Sequence, residues 1–168
     1  MIQILWGYCP PEVREALRPI LVDYLWLLPP WCRSLYVAWD DKYADRDAAM
    51  YSAAQPEYRQ AQLRVCPLWL AAIPQVRRQN VAHELLHIPL VPVVQGHDDL
   101  LTRLLDDAPG YQGYAKEQWR LAFEGTVQDL AASVAALSGP FPEVAFVEVD
   151  DDDLARDASR RTMPGEGA

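Results

Sequence analysis

The hydrophobic pattern along the chain switches between a period of two and a period near 3.6, and the switches mark its elements. Ile2–Trp6 is short and apolar-rich and predicts a strand, after which Pro10 and Pro11 sit where a helix begins. Val13, Leu17, Ile20, Leu21, Tyr24, Leu25 and Leu28 then recur at helical spacing until Pro29 and Pro30 stop them. Ser34–Trp39 is rich in strand formers and is closed by the turn chemistry of Asp40, Asp41 and Lys42. A loop or hairpin is expected through residues 50–53. Over residues 58–66, Ala61, Leu63 and Val65 alternate with Gln60, Gln62 and Arg64, giving a strand with one buried and one wet face that suits a sheet edge.

Beyond Pro74 the helical period returns through Val76, Val81, Ala82, Leu85 and Leu86, and Pro89 is expected to end it by removing a backbone donor. Residues 98–105 predict a second short helix, broken at Pro109 and Gly110. Residues 114–137 predict a long final helix with Phe123, Val127, Leu130, Val134 and Leu137 as its apolar stripe. Past Ser138, Gly139 and Pro140 the pattern weakens, although residues 144–149 have the composition of one more strand.

At 168 residues and 51% apolar content, one domain with one core is expected. The formal charge is −9, and residues 143–168 hold eight acids against three arginines, so the acidity belongs mostly to that end. We therefore expect a domain over residues 1–142 and a flexible acidic tail over 143–168. The body has no basic footprint for a phosphate backbone, which speaks against nucleic acid. Cys9, Cys32 and Cys66 lie far apart without CxxC spacing, and the N-terminal residues have no basic leader. No apolar run approaches the roughly 20 residues of a membrane span, so a cytoplasmic location is expected, with no membrane partner. The run from Asp150 to Asp153 lacks the alternation and glycine of a calcium loop, and the six scattered tryptophans suit packing.

The chemistry lies in His83-Glu84-Leu85-Leu86-His87. On a helix, residues four apart stand one turn above each other, so the two imidazoles converge on one point and begin a tetrahedral zinc site. Glu84, one step round, is placed as the general base that takes a proton from metal-bound water. Apolar neighbours Val81, Ala82, Leu85 and Leu86 pack this helix against the core, where histidines without a ligand are costly.

HELLH resembles the signature of the zincin metallopeptidases. The segments YRQAQLRVCPLW, VRRQNVAHELLHIPLVPV and FEGTVQDLA are similar to small phage-encoded proteins of gluzincin-like pattern. The resemblance implies an α+β fold: a minimal zincin-like domain, with a small mixed sheet packed on the HExxH helix and a later helix that supplies the third zinc ligand. Leu90 and Val93 stand where a metzincin needs glycine and histidine. The gluzincin likeness points to Glu124, with Glu117 and His97 as alternatives. Gln128 stands where that pattern has an acid, and it or Asp129 is expected to orient a histidine's far nitrogen. Tyr111 and Tyr114, in a Gly-rich loop, are the candidate oxyanion donors.

The implied function is zinc-dependent hydrolysis of a peptide or protein lying antiparallel along the strand that ends at Cys66. Two alternatives stand beside it: a non-catalytic zinc-binding accessory or interaction protein, and a regulatory protease specific for one partner.

Overall fold

A computed structural model describes residues 1–42, 48–137 and 140–150. Its strands are β1 (Ile2–Trp6), β2 (Ser34–Trp39), β3 (Met50–Gln55), β4 (Gln60–Val65) and β5 (Phe146–Asp150). They form one sheet in the order β3-β4-β2-β1-β5, parallel except for the antiparallel pair of β3 and β4. The helices are α1 (Pro11–Tyr24), α2 (Pro67–Ala71), α3 (Pro74–Leu104) and α4 (Pro109–Ala136). Each of the four opens on a proline, whose fixed φ suits the first helical position and whose missing N–H has no partner to lose there.

One cluster joins the inward side chains of the sheet, Ile4, Trp6, Leu35, Val37, Leu63 and Val65, to Val13, Leu17 and Leu21 of α1 and to Val81, Leu85 and Ile88 of α3. The opposite sheet face carries the exposed Gln3, Gln60 and Gln62. Mixed sheet and helices agree with an α+β chain at the level of class. Leu85 is fully buried between the two histidine positions. Its replacement by alanine is expected to cost about 2 to 5 kcal/mol of stability, read as a lowered denaturant midpoint, whereas a loss well under 1 kcal/mol would mean that α3 is not seated on this core.

Three boundaries differ from the sequence pattern. Pro89 does not end the HExxH helix: α3 runs for 31 residues, about 46 Å, through both Pro89 and Pro92, and absorbs residues 98–104. The two prolines leave the carbonyls of Leu85 and Ile88 without their usual helical donors. Packing against α4 brackets this gap: the His87 ring lies 5.7 Å from Phe123 before it, and His97 stacks on Trp119 at 4.1 Å after it. Secondly, β4 is internal to the sheet, and the edge strand beside α3 is β3. Thirdly, β5 falls inside the segment expected to be a tail and pairs with β1 along its whole length. Residues 151–168, with Asp151 to Asp153, lie outside the described residues.

Between Ile88 and Val127 no residue is buried, so the far part of the α3–α4 hairpin packs on itself and stands clear of the sheet. The histidines lie where the hairpin leaves the core. Among the described residues, no helix is long and apolar enough to cross a membrane.

Candidate metal centre

Because Val81, Ala82, Leu85 and Ile88 face the core, helical geometry turns His83 and His87 to the opposite side of α3, toward α4, and leaves Glu84 on the flank between them and β3. His83 Nε2 and His87 Nε2 are 2.9 Å apart. Glu124 Oε2 reaches across from α4 to within 3.5 Å of the first and 3.4 Å of the second. A tetrahedral zinc ion with bonds of about 2.0 to 2.1 Å holds its donors about 3.3 Å apart, so three atoms at these separations fit one ion. Two imidazoles and a carboxylate are also the donor chemistry that zinc takes. Among the described residues this is the one group of three or more such side chains that could hold a metal. With three protein donors, a tetrahedral ion held here would keep one position for water or substrate.

Burial pushes the His83 imidazole below its ordinary pKa and the adjacent His87 adds to this, while the carboxylates of Glu84 and Glu124 oppose it. The net effect favours the neutral ring, the form that binds a metal. Among the described residues, His83 Nδ1 is buried and has no hydrogen-bond partner. Gln128 and Asp129, expected to orient that nitrogen, are both exposed and do not reach it.

The histidines and Glu124 form one end of a cleft of about 620 Å³ that runs between α3 and α4. Its walls include Val91, Val94, Trp119 and Phe123, with Arg120 one turn and Lys116 two turns before Glu124 on α4. Glu84 opens into the same cleft, as do Tyr51 and Ser52 of the edge strand β3. Ser52 Oγ lies 2.8 Å from Glu84 Oε2 and 2.9 Å from the Glu84 carbonyl oxygen.

The other sequence candidates fall elsewhere. Tyr111 and Tyr114 are not on a loop: Pro109 starts α4, and both tyrosines stand on its first turns, 76% and 66% exposed and outside the cleft lining. They are not placed to hold an oxyanion at this site. His97 is occupied by its stack on Trp119, and Glu117, at the cleft wall, is held below the usual carboxylate range by a two-point pair with Arg120 at 2.8 and 2.9 Å. Neither joins the three-residue group. The pattern reading missed Tyr51 and Ser52. The Tyr51 hydroxyl donates to Asp40 Oδ2 at 2.6 Å, which holds the Asp40 carboxyl below its ordinary value.

The cysteines take no part in the metal group, and burial raises all three thiols, Cys9 and Cys32 to about 11. At pH 8 a thiol of that pKa is thiolate in only roughly one molecule in a thousand. Iodoacetamide is therefore expected to label the native protein very slowly and all three cysteines promptly once it is unfolded. Fast labelling of the native chain would show that burial does not hold the thiols protonated, first of all at the half-buried Cys9.

No protein-family model, curated protein or solved structure matches this chain.

Proposed function

We propose that the protein is a zinc-dependent metallopeptidase of gluzincin-like type, with His83, His87 and Glu124 as ligands and Glu84 as general base. The observation that carries the reading is the convergence of Glu124, from a separate helix, on the two HExxH imidazoles within 3.5 Å. Zinc, when bound, supplies a Lewis acid for the scissile carbonyl and brings the pKa of water toward about 7.

Glu84 accepts a proton from the water that attacks the carbonyl carbon, and delivers it to the nitrogen as the C–N bond breaks. No covalent bond to the protein forms. The substrate backbone has a docking rail in β3: this strand is at the sheet edge and lines the cleft, so its outer N–H and C=O groups suit an extended peptide added as a further strand. That rail replaces β4, which is paired on both sides.

The test is cleavage of a degenerate peptide library by the full chain loaded with zinc, with new termini identified by mass spectrometry. Cleavage that stops when the metal is stripped and returns when it is restored supports the reading. Stoichiometric zinc without any cleavage of peptides or unfolded proteins would favour a non-catalytic zinc-binding module instead.

A further inference from the structure

The register of the sheet sets up an exception on its core face. Trp6, Val37 and Leu63 stand opposite one another on β1, β2 and β4, and the next position in that row, on β3, is Ser52. The first three are buried apolar side chains. A hydroxyl at the end of such a row, directed at a packed helix, needs an acceptor, because an unpaired polar group there is costly. The acceptor it finds is Glu84, through one carboxylate oxygen at 2.8 Å and the backbone carbonyl at 2.9 Å.

We infer that Ser52 is a positioning residue that fixes the Glu84 carboxylate at the metal end of the cleft. The inference rests on the reading of Glu84 as the base. A glutamate has three side-chain torsions, and an exposed one samples many rotamers. The Ser52 hydroxyl holds Oε2 from the strand side. Oε1 keeps no hydrogen-bond partner among the described residues, so it remains for proton transfer. The Glu84 carbonyl oxygen, 2.9 Å from the same hydroxyl, shares its single proton, so side chain and helix are registered against the edge strand together. Strand, base and peptide rail thus become one rigid unit, and the substrate that docks on β3 meets a carboxylate held by β3.

The test uses the full-length chain loaded with zinc and acetohydroxamate as the probe. Its two oxygens chelate the metal, and its hydroxyl proton is shared with a carboxylate standing next to the ion. Affinity therefore reports whether that carboxylate is in place, independently of turnover. Wild type, Ser52→Ala, Ser52→Thr, Ser52→Val and Glu84→Gln are compared by calorimetry after zinc content has been measured for each.

All five are expected to hold one zinc. Ser52→Thr, which keeps the hydroxyl, should bind acetohydroxamate like the wild type, while Ser52→Ala and Ser52→Val should bind about tenfold more weakly. Glu84→Gln should be weaker still. Threonine and valine have the same shape, so their difference isolates the hydroxyl even where the alanine variant is too unstable to measure. Equal affinity for the threonine and valine variants overturns the inference, as does a zinc-loaded wild type with no acetohydroxamate affinity. Failure of the wild type to bind zinc overturns the peptidase reading itself, and is seen before any probe is added.

Discussion

His83→Ala is expected to reduce bound zinc from about one ion per chain to almost none after dialysis. The reason is geometric. The proposed site would take two of its three donors from one face of α3, and the third from α4. Removing one imidazole leaves a single histidine and a half-exposed carboxylate. Structural zinc sites gain roughly 10 to 16 kcal/mol from four donors, or about 3 kcal/mol per donor, so one lost ligand weakens binding by roughly a hundredfold or more. Glu124→Ala is expected to weaken it in the same direction. It should do less damage than loss of a histidine, because water can enter where the exposed carboxylate stood. Elemental analysis of protein purified without chelators, followed by competition with a chromophoric chelator, gives both numbers. Undiminished zinc in His83→Ala would remove the basis of the site.

Glu84→Gln is expected to lower peptide hydrolysis by about 10²- to 10⁴-fold, the range that a positioned general base contributes, and to leave zinc content unchanged. Glutamine keeps the length of the side chain and an oxygen that accepts from Ser52, so the fold and the strand-to-helix contact persist. What it loses is the capacity to take a proton. A variant that retains both zinc and wild-type cleavage would show that another group serves as the base. The separation of the two effects, metal lost with His83 and rate lost with Glu84, distinguishes this site from a zinc clip that happens to include a glutamate.

Much of this arrangement is legible in the sequence because it rests on local periodicity. The spacing of His83 and His87 puts two imidazoles on one helix face, and their Nε2 atoms come to 2.9 Å. The strands Ile2–Trp6 and Ser34–Trp39 occupy the residues that their composition marks. Glu124 is different, since no spacing along the chain brings it to the histidines. Its proximity depends on how α4 packs on α3, and only the family resemblance pointed to it.

The misreadings have physical causes. Pro89 marks a helix end by local rules, but contacts along α4 outweigh two missing hydrogen bonds. Pro109 and Gly110 look like a break, yet a proline at the first helical position is a start, and it leaves Tyr111 and Tyr114 exposed on α4 and outside the cleft lining. The wet face of β4 suggested an edge strand, although it arises because Gln60 and Gln62 lie on the sheet face turned away from the buried core. Strands of parallel sheets are usually buried on both faces, so a half-wet internal strand has the pattern of an edge. The true edge, MYSAAQ, has two alanines and little strand propensity, and Ser52 within it carries no pattern signal.

The pairing of β5 with β1 also bears on the order in which the molecule assembles. Ile2 is matched with Phe146 and Trp6 with Asp150, so the two strands that touch are almost the whole described chain apart. Such distant pairings are slow to form, because a long loop must close before any contact rewards it. During synthesis β1 is made before β5, so the edge that β5 covers waits for it. An edge left open in this way is a template for pairing with another chain. When β5 arrives, its acidic side chains meet two arginines already placed by α1: Arg14 pairs with Asp150 at 2.6 Å and Arg18 with Glu148 at 2.7 Å. Opposite charge on α1 thus favours β5 over a neutral or basic strand from elsewhere.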